Sequence, residues 1–323
     1  MIHFRLDTKM TTSILSMLDT IKQQLCDEGY AWVEPTMYRS LLCALGAQES
    51  DLKAVEDGKL HSKLQPSTTE PDLFFKKSAV HNILLDDTKD HNEDPFIPFN
   101  YTAKSFQPAE AKEIVSDGNA SVQVDRTKVR EWNLPPHGFP DSSLSLAMAK
   151  LIKLLLPKDH HPQGHMNMKS NASVISQFLY RVVKEAVQAE PTPEGIHQDG
   201  YEITTITLIK RQNILKGGET RLWDLQQPIG YYSHKGFGND SDDESIPDLE
   251  GFRWSNILLR KTLTEPWETV IFNDRLIKHE ARQFFVKEMG KICYRDVIIN
   301  QSRKPYLHGI DKMEMNGNVV TVV

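Results

Sequence analysis

The feature that most limits the fold is a change in the spacing of apolar residues near residue 173. Before it, apolar residues recur at helical spacing, in residues 11–28 and in a helix predicted to start at Asp141 or Ser142 and to end at Pro157. From residue 173 onward they alternate with polar residues, which is typical of strands. Helices followed by many short strands predict a mainly β fold with N-terminal helices and a double-stranded β-helix, or jelly-roll, core.

The predicted organisation has three parts. Residues 1–172 are a helical and loop region that packs on the core, residues 173–310 are the jelly-roll core, and residues 311–323 are a C-terminal segment. The acidic stretch 239–250 is rich in Asp, Glu and Ser and poor in apolar residues. We therefore predict that it is a mobile insertion between two strands.

Composition excludes several classes of function. The 323-residue chain has 39% hydrophobic and 25% charged residues, as ordinary globular proteins do. Its formal net charge is −6 and it has no basic block, which disfavours nucleic acid as a partner. The sequence has neither an apolar run that could span a membrane nor a signal-peptide pattern. Three scattered cysteines indicate neither a disulfide framework nor a zinc site, so we expect a cytoplasmic protein.

His197 and Asp199 are the residues that indicate the chemistry of this chain. Two residues apart on a strand, their side chains lie on the same face and can reach one metal ion. Such a tripeptide alone is a weak signal. However, a second histidine, His279, follows the apolar strand Thr269–Phe272. Two histidines and one carboxylate are the facial ligand set that binds non-haem Fe(II) and leaves positions open for a cosubstrate and O2, so we predict an iron site here.

Arg295 is the predicted partner of a cosubstrate. It lies near the start of the predicted strand Tyr294–Asn300. A guanidinium can make two charge-assisted hydrogen bonds to a carboxylate, as binding of the distal carboxylate of 2-oxoglutarate requires. A salt bridge to Asp296 at the rim is the alternative, but adjacent strand residues point to opposite faces.

Gln177 and Arg181 are candidate substrate-binding residues. They share one face of the predicted strand that precedes His197 in sequence. That face either lines the pocket or faces solvent at the edge of a sheet, and the spacing of the residues does not decide between the two.

Two other polar groups are predicted to lie outside the site. Glu219 follows a Gly-Gly pair and is either an outer group that supports the site or a solvated turn residue, of which we favour the turn. The histidines at 160, 161 and 165 resemble a metal cluster, but Pro162 and Gly164 exclude the helix that would align them. A polar loop is the simpler interpretation.

Three segments together resemble the iron- and 2-oxoglutarate-dependent dioxygenase family that includes bacterial isoleucine hydroxylases: Pro193-Glu194-Gly195-Ile196-His197-Gln198-Asp199-Gly200, Gly217-Gly218-Glu219-Thr220-Arg221 and Tyr294-Arg295-Asp296-Val297. Asp274-Arg275, before His279, fits the same pattern. The resemblance covers residues 173–300 and is specific, because the segments follow the family's order.

This resemblance implies a jelly-roll core, Fe(II), the cosubstrates 2-oxoglutarate and O2, and hydroxylation of a free aliphatic L-amino acid. By position, it implies that the iron ligands are His197, Asp199 and His279 and that Arg295 holds 2-oxoglutarate. It also implies that Gln177 and Arg181 lie near the amino-acid end of the pocket.

The chain departs from the compact bacterial members of that family, which leaves alternatives open. It has a longer N-terminal part, the acidic insertion, and Glu280 where a glycine often follows the second histidine. The longer chain resembles fungal biosynthetic relatives that oxidatively cyclise an amino acid, such as aziridine-forming enzymes acting on valine. Two further alternatives are a metal-binding jelly-roll module, which would not need Arg295, and a dioxygenase that acts on a protein.

Overall fold

The computed structural model describes residues 8–57, 75–85, 96–99, 105–116, 119–130, 138–156, 173–184, 188–189, 192, 195–230, 253–282, 284–303, 312–315 and 318–321. Its helices lie in the N-terminal half and are α1 (Thr8–Asp27), α2 (Pro35–Ala44), α3 (Glu49–Glu56) and α4 (Ser143–Leu155). No helix in the described ranges is long and apolar enough to cross a membrane.

Strands dominate the rest of the described chain. The first eight are β1 (Tyr30–Val33), β2 (Phe75–Leu85), β3 (Phe96–Phe99), β4 (Ser105–Ser116), β5 (Asn119–Arg130), β6 (Ser173–Lys184), β7 (Gln188–Ala189) and β8 (Ile203–Gln212). The others are β9 (Ile214–Gly217), β10 (Glu219–Asp224), β11 (Ile257–Thr262), β12 (Thr269–Phe272), β13 (Ile277–Ala281), β14 (Phe284–Val286), β15 (Cys293–Arg303), β16 (Lys312–Met315) and β17 (Asn318–Thr321).

The strands form the antiparallel sheets of a jelly roll. The major sheet has seven strands in the order β1-β12-β8-β15-β6-β2-β3. Two three-stranded sheets are β11-β10-β13, which packs against the major sheet through Leu222 and Ile277, and β7-β14-β9. The pairs β4-β5 and β16-β17 are separate hairpins. The chain is therefore mainly β with N-terminal helices, as the sequence predicts.

The two faces of the major sheet belong to different hydrophobic cores. Ile271 and Ile298 pack with residues of α1–α4 in the larger core. Their neighbours in sequence, Phe272 and Val297, point to the other face and pack with Leu222 of β10 in the inner core, between the sheet layers. This alternation of one residue toward the helices and the next toward the interior decides which side chains can reach an internal site.

Local signals explain where the elements begin and end. Gly29 has a φ of 81° after α1, and a Cβ there would lie 3.0 Å from the side chain of Ile277, so this turn requires glycine. Pro35 occupies the first turn of α2, where no backbone N–H donor is needed. The Ser142 hydroxyl caps α4 by accepting from Ser145 N. The predicted helices at 11–28 and 142–156 are thereby confirmed within a few residues.

The N-terminal part supplies strands to the major sheet as well as helices. The sequence predicts a helical and loop region here with a short strand at Tyr30-Ala31-Trp32-Val33; β1 confirms that strand, and β2 and β3 also lie in the major sheet. β1 pairs with β12, β2 pairs with β6, and β3 pairs with β2, and this pairing stabilises strands whose own sequence pattern is weak. The proposed division at residue 173 stays a prediction. The acidic insertion at 239–250 and the histidines at 160, 161 and 165 lie outside the described residues.

Candidate functional site

His197 and His279 are joined through their backbones, although they are far apart in sequence. They form an isolated antiparallel bridge, with His197 N donating to His279 O at 3.0 Å and His279 N donating to His197 O at 2.9 Å. Asp199 lies on the same side, and the Nε2 atom of each histidine is 3.9 Å from one of its carboxylate oxygens. The three ligand atoms lie within 4.8 Å of one another, close enough to bind one ion.

The other ring nitrogen of each histidine is held by the protein. His197 Nδ1 lies 2.8 Å from Gly195 O, and His279 Nδ1 lies 2.9 Å from Asp274 Oδ1. A histidine whose Nδ1–H donates to an oxygen presents Nε2 as the unprotonated ligand atom. Both rings are therefore oriented with Nε2 toward Asp199.

Asp274 connects the two halves of this group. Its side chain is 0% exposed and lies in the turn before β13. Oδ2 accepts from the backbone N–H groups of Asp199 at 2.8 Å, Gly200 at 2.6 Å and Tyr201 at 3.3 Å. Burial raises the pKa of the Asp274 carboxyl, while His279 acts in the opposite direction. One buried carboxylate thus fixes both the segment that carries Asp199 and the ring of His279.

Gln301 of β15 holds the carboxylate of Asp199. Its Nε2 donates to Asp199 Oδ2 at 3.0 Å. The amide of Gln301 is neutral. This contact therefore orients Asp199 without adding to the charge of the site. Asp199 is therefore restrained from two directions, by Gln301 at its side chain and by Asp274 at its backbone.

The donor set fits Fe(II). Two imidazoles and one carboxylate, with polar outer partners that orient them, match the facial set of non-haem iron centres. Glu280, next to His279, is not part of this set. Its carboxylate lies 3.9 Å from Arg221 and 3.6 Å from Arg282, on the other face of the strand.

Arg295 is a buried cation that fits an anionic ligand. It is 2% exposed; its Nη2 donates to Thr220 Oγ1 at 3.4 Å, and its Nε has no hydrogen-bond partner. No carboxylate of the described residues lies within ion-pairing distance, so the alternative of a rim salt bridge with Asp296 is wrong. Burial first, and then the charge of Arg211, lower the pKa of Arg295 to about 9, which leaves it charged at neutral pH.

Gln177 lies on the helix-covered face of β6. It is 0% exposed; its Oε1 accepts from Ser145 Oγ at 2.6 Å, and its Nε2 donates to Ser145 O at 2.8 Å. Its neighbours Ile175 and Leu179 pack in the core shared with α4. The structure thus does not bring Gln177 together with the His197 group. This placement favours a role in docking α4, and substrate binding by Gln177 stays a prediction.

The substrate-binding role predicted for Arg181 also stays a prediction. Arg181 lies in β6, opposite Asp296 of β15 and Lys77 of β2 in the strand pairing. Its side chain is outside the described part of the structure.

Glu219 is not the solvated turn residue that the sequence suggested. It begins β10, is partly buried, and pairs with Arg221 and, at 3.3 Å, with Arg260. The Arg221 and Arg260 guanidiniums also lie over the Trp254 ring, at 5.3 and 5.8 Å from its centroid. The adjacent glycines gave a turn signal, but β10 starts directly after them.

Three residues that complete the site were not identified from sequence. Asp274 was noted only as part of a segment that fits the family pattern, and nothing indicated that its carboxylate would bond to the distant backbone of Asp199 and Gly200. Gln301 is one of several polar residues in a long strand. Thr220 follows Glu219 in a short strand and carries no separate signal.

A family model matches the part of the chain that contains His197, Asp199, His279 and Arg295. The model described as 2OG-Fe dioxygenase matches residues 128–301, more than half of the chain. Among curated proteins, the bifunctional enzyme flvA of Aspergillus flavus is 23% identical over 327 residues. That alignment covers 95% of this chain but 34% of the relative, so the chain spans about a third of the relative's length.

Solved structures show the same fold at low identity. The Fe(II)/(alpha)ketoglutarate-dependent dioxygenase TqaL superposes with a TM-score of 0.63 at 17% identity, covering 98% of this chain and 94% of that one. IDO from Bacillus thuringiensis gives a TM-score of 0.57 at 14% identity, covering 89% and 99%. A bsmA homologue from Methylobium petroleophilum gives 0.54 at 18%, covering 89% and 93%.

Proposed function

The chain belongs to the 2OG-Fe dioxygenase family, and on that premise we propose that it hydroxylates an unactivated C–H bond of a free aliphatic L-amino acid. It is a non-haem iron enzyme that uses Fe(II), 2-oxoglutarate and O2. The bound iron supplies the oxygen chemistry, coupled to decarboxylation of 2-oxoglutarate. The protein supplies the positions of the reactants and the exclusion of water.

Each residue of the site has a proposed role in this reaction. His197, Asp199 and His279 hold the iron, Asp274 keeps His279 and the Asp199 backbone in place, and Gln301 orients the Asp199 carboxylate. Arg295 holds the distal carboxylate of 2-oxoglutarate with the Thr220 hydroxyl beside it. The observation that supports this most is the buried Arg295 Nε, a charged donor without a hydrogen-bond partner.

The inner face of the major sheet suits a small substrate with a polar head and an aliphatic side chain. Most of the side chains on this inner face are apolar, including Phe178 and Ile206. Besides Arg211 and Arg295, three polar residues form a row across neighbouring strands: Gln301 is paired in register with Thr204 on one side and Ser176 on the other. The Thr204 hydroxyl is buried and has no hydrogen-bond partner. Because Gln301 also bonds to Asp199, this row starts beside the iron ligands.

The neutral polar side chains of that row can form hydrogen bonds with the carboxylate and ammonium groups of an amino acid. A hydroxyl both donates and accepts, so Thr204 can bond either to a carboxylate or to an ammonium group. The apolar side chains around it favour an aliphatic rather than a polar substrate side chain. We therefore propose a branched aliphatic amino acid, such as valine or isoleucine, as the substrate.

A screen of free amino acids tests this proposal. Iron-loaded protein with 2-oxoglutarate in air is incubated with each proteinogenic L-amino acid, and succinate is measured. We expect valine or isoleucine to raise succinate formation above the substrate-free background, and the product to gain the mass of one oxygen. A loss of two hydrogens would instead indicate ring closure or desaturation. If only a peptide or protein stimulates succinate formation, the free-amino-acid proposal is wrong.

A further inference from the structure

Arg211 and Arg295 face each other across the pairing of β8 with β15. Directly opposed residues of an antiparallel pair point to the same face, with Cβ atoms about 5 Å apart. Both side chains also contact the consecutive strands β9 and β10, on either side of Gly218. Arg211 Nη2 donates to Gly217 O at 2.8 Å, and Arg295 Nη2 donates to Thr220 Oγ1 at 3.4 Å. The two guanidiniums therefore lie close together.

Arg211 is held in place by backbone carbonyls. Its Nη1 donates to Leu263 O at 2.8 Å and its Nη2 to Gly217 O. These contacts fix the position of the guanidinium but do not neutralise it. Burial lowers the pKa of Arg211, and the charges of Cys293 and Glu268 act in the opposite direction; Glu268 itself pairs with Lys261 at 3.0 Å.

Two adjacent cations that form no ion pair with the described residues are unfavourable here, because Arg295 is buried and Arg211 is partly buried. Within the described part of the chain, neither guanidinium has a carboxylate at ion-pairing distance. Like charges repel more strongly in the interior than in water, and each also loses hydration there. An anion bound beside Arg295 would remove this repulsion, so the pair is an electrostatic site for a carboxylate.

We propose that Arg211 is a second cation of the 2-oxoglutarate pocket, which strengthens binding of the distal carboxylate and disfavours 2-oxo acids that lack one. This rests on the proposed role of Arg295 as the direct partner of that carboxylate. Arg295 keeps donors available for the ligand, whereas the hydrogen bonds of Arg211 go to carbonyl oxygens. Arg211 therefore acts through its charge and not through a direct contact.

Calorimetric titration of the iron-loaded protein without oxygen tests this proposal. The titrants are 2-oxoglutarate and 2-oxopentanoate, which has the same chain length but no distal carboxylate. The variants are Arg211→Gln, which keeps a donor but loses the charge, and Arg211→Lys, which keeps the charge. Arg295→Gln serves as the reference for loss of the direct contact.

We expect Arg211→Gln to weaken 2-oxoglutarate binding about tenfold and to leave 2-oxopentanoate binding within about twofold. Arg211→Lys should retain most of the wild-type preference for 2-oxoglutarate. The ratio of the two affinities does not depend on the folded fraction, so a partly unfolded variant still gives an answer.

Three results would overturn the proposal. If Arg211→Gln and Arg211→Lys weaken both acids equally, Arg211 is only structural. If Arg295→Gln weakens 2-oxoglutarate binding but Arg211→Gln does not, the proposed role of Arg295 survives and that of Arg211 fails. If neither Gln variant alters 2-oxoglutarate binding, the pocket lies elsewhere and both proposals fail.

Discussion

Asp274 and His279 form the contact that fixes the proposed iron ligands relative to one another. Asp274 Oδ1 lies 2.9 Å from His279 Nδ1, and its other oxygen accepts from the backbone of Asp199 and Gly200. The carboxylate is fully buried. A change at Asp274 should therefore act on the metal through two ligands at once, although the residue does not itself belong to the ligand set.

Asp274→Asn should weaken iron binding without removing a ligand. The amide keeps one acceptor but replaces the other with a donor, so either His279 or the backbone of Asp199 loses its partner. Changes of this kind lower metal affinity roughly 10–100-fold. Titration with Fe(II) without oxygen gives the affinity. Asp224→Asn, at a turn carboxylate that accepts from Gln226 N, is the control and should bind iron as the wild type does. Equal affinities in the two variants would contradict this role for Asp274.

Removal of any iron ligand should abolish both metal binding and turnover. His197→Ala, Asp199→Ala and His279→Ala each leave an incomplete facial set. Iron content after reconstitution and succinate formation are the measurements. Gln198→Ala changes the exposed residue between two of the ligands and should retain iron. Full activity of any of the three ligand variants with iron as the sole metal would show that the site is elsewhere.

Arg295→Leu should raise the KM for 2-oxoglutarate and leave iron bound. A charge-assisted contact to a buried carboxylate contributes roughly 1.5–3 kcal/mol, which corresponds to about ten- to a hundredfold in affinity. The KM for 2-oxoglutarate and the iron content are measured on the same preparation. Arg260→Leu, at a partly exposed arginine of β11 that pairs with Glu219, is the matched control. An unchanged KM in Arg295→Leu would point to another cation, such as Arg282.

Gln177→Met should lower the free energy of unfolding and leave substrate binding unchanged. Methionine has a similar volume but makes neither hydrogen bond to Ser145, and a buried Ser145 hydroxyl without its acceptor costs about 1–3 kcal/mol. Denaturant unfolding gives the stability, and the KM for the amino acid tests the role in binding. A raised KM with unchanged stability would support the substrate-binding role predicted from sequence.

The sequence predicted the direction of side chains where that direction depends only on local spacing. His197 and Asp199 are neighbours on one face of an extended segment, and the inward direction of Arg295 follows from the alternation along its strand. The sequence could not indicate which face of β6 the helices would cover. Gln177 was therefore equally compatible with the pocket and with the contact to Ser145 that the structure shows. The packing of α4 on β6 decides between these two roles. The spacing of residues within one strand gives no information about that packing.

The role of Asp274 was beyond prediction for a similar reason. It depends on the turn before β13 meeting the segment that carries Asp199, and these segments come together only when the sheet layers close. The cross-strand pairing of Arg211 with Arg295 likewise depends on the register of β8 against β15. A bulge between Asp296 and Val297 shifts that register, so counting residues along either strand does not predict the pair.

The coupling of cosubstrate consumption to amino-acid oxidation tests the central claim most directly. Succinate and oxidised amino acid are quantified together by mass spectrometry, with iron-loaded protein, 2-oxoglutarate, O2 and valine or isoleucine. We predict nearly equal amounts of the two products for the wild type and neither product for His279→Ala. Succinate formed at the same rate with and without any amino acid, and no oxidised amino acid, would contradict the proposed function.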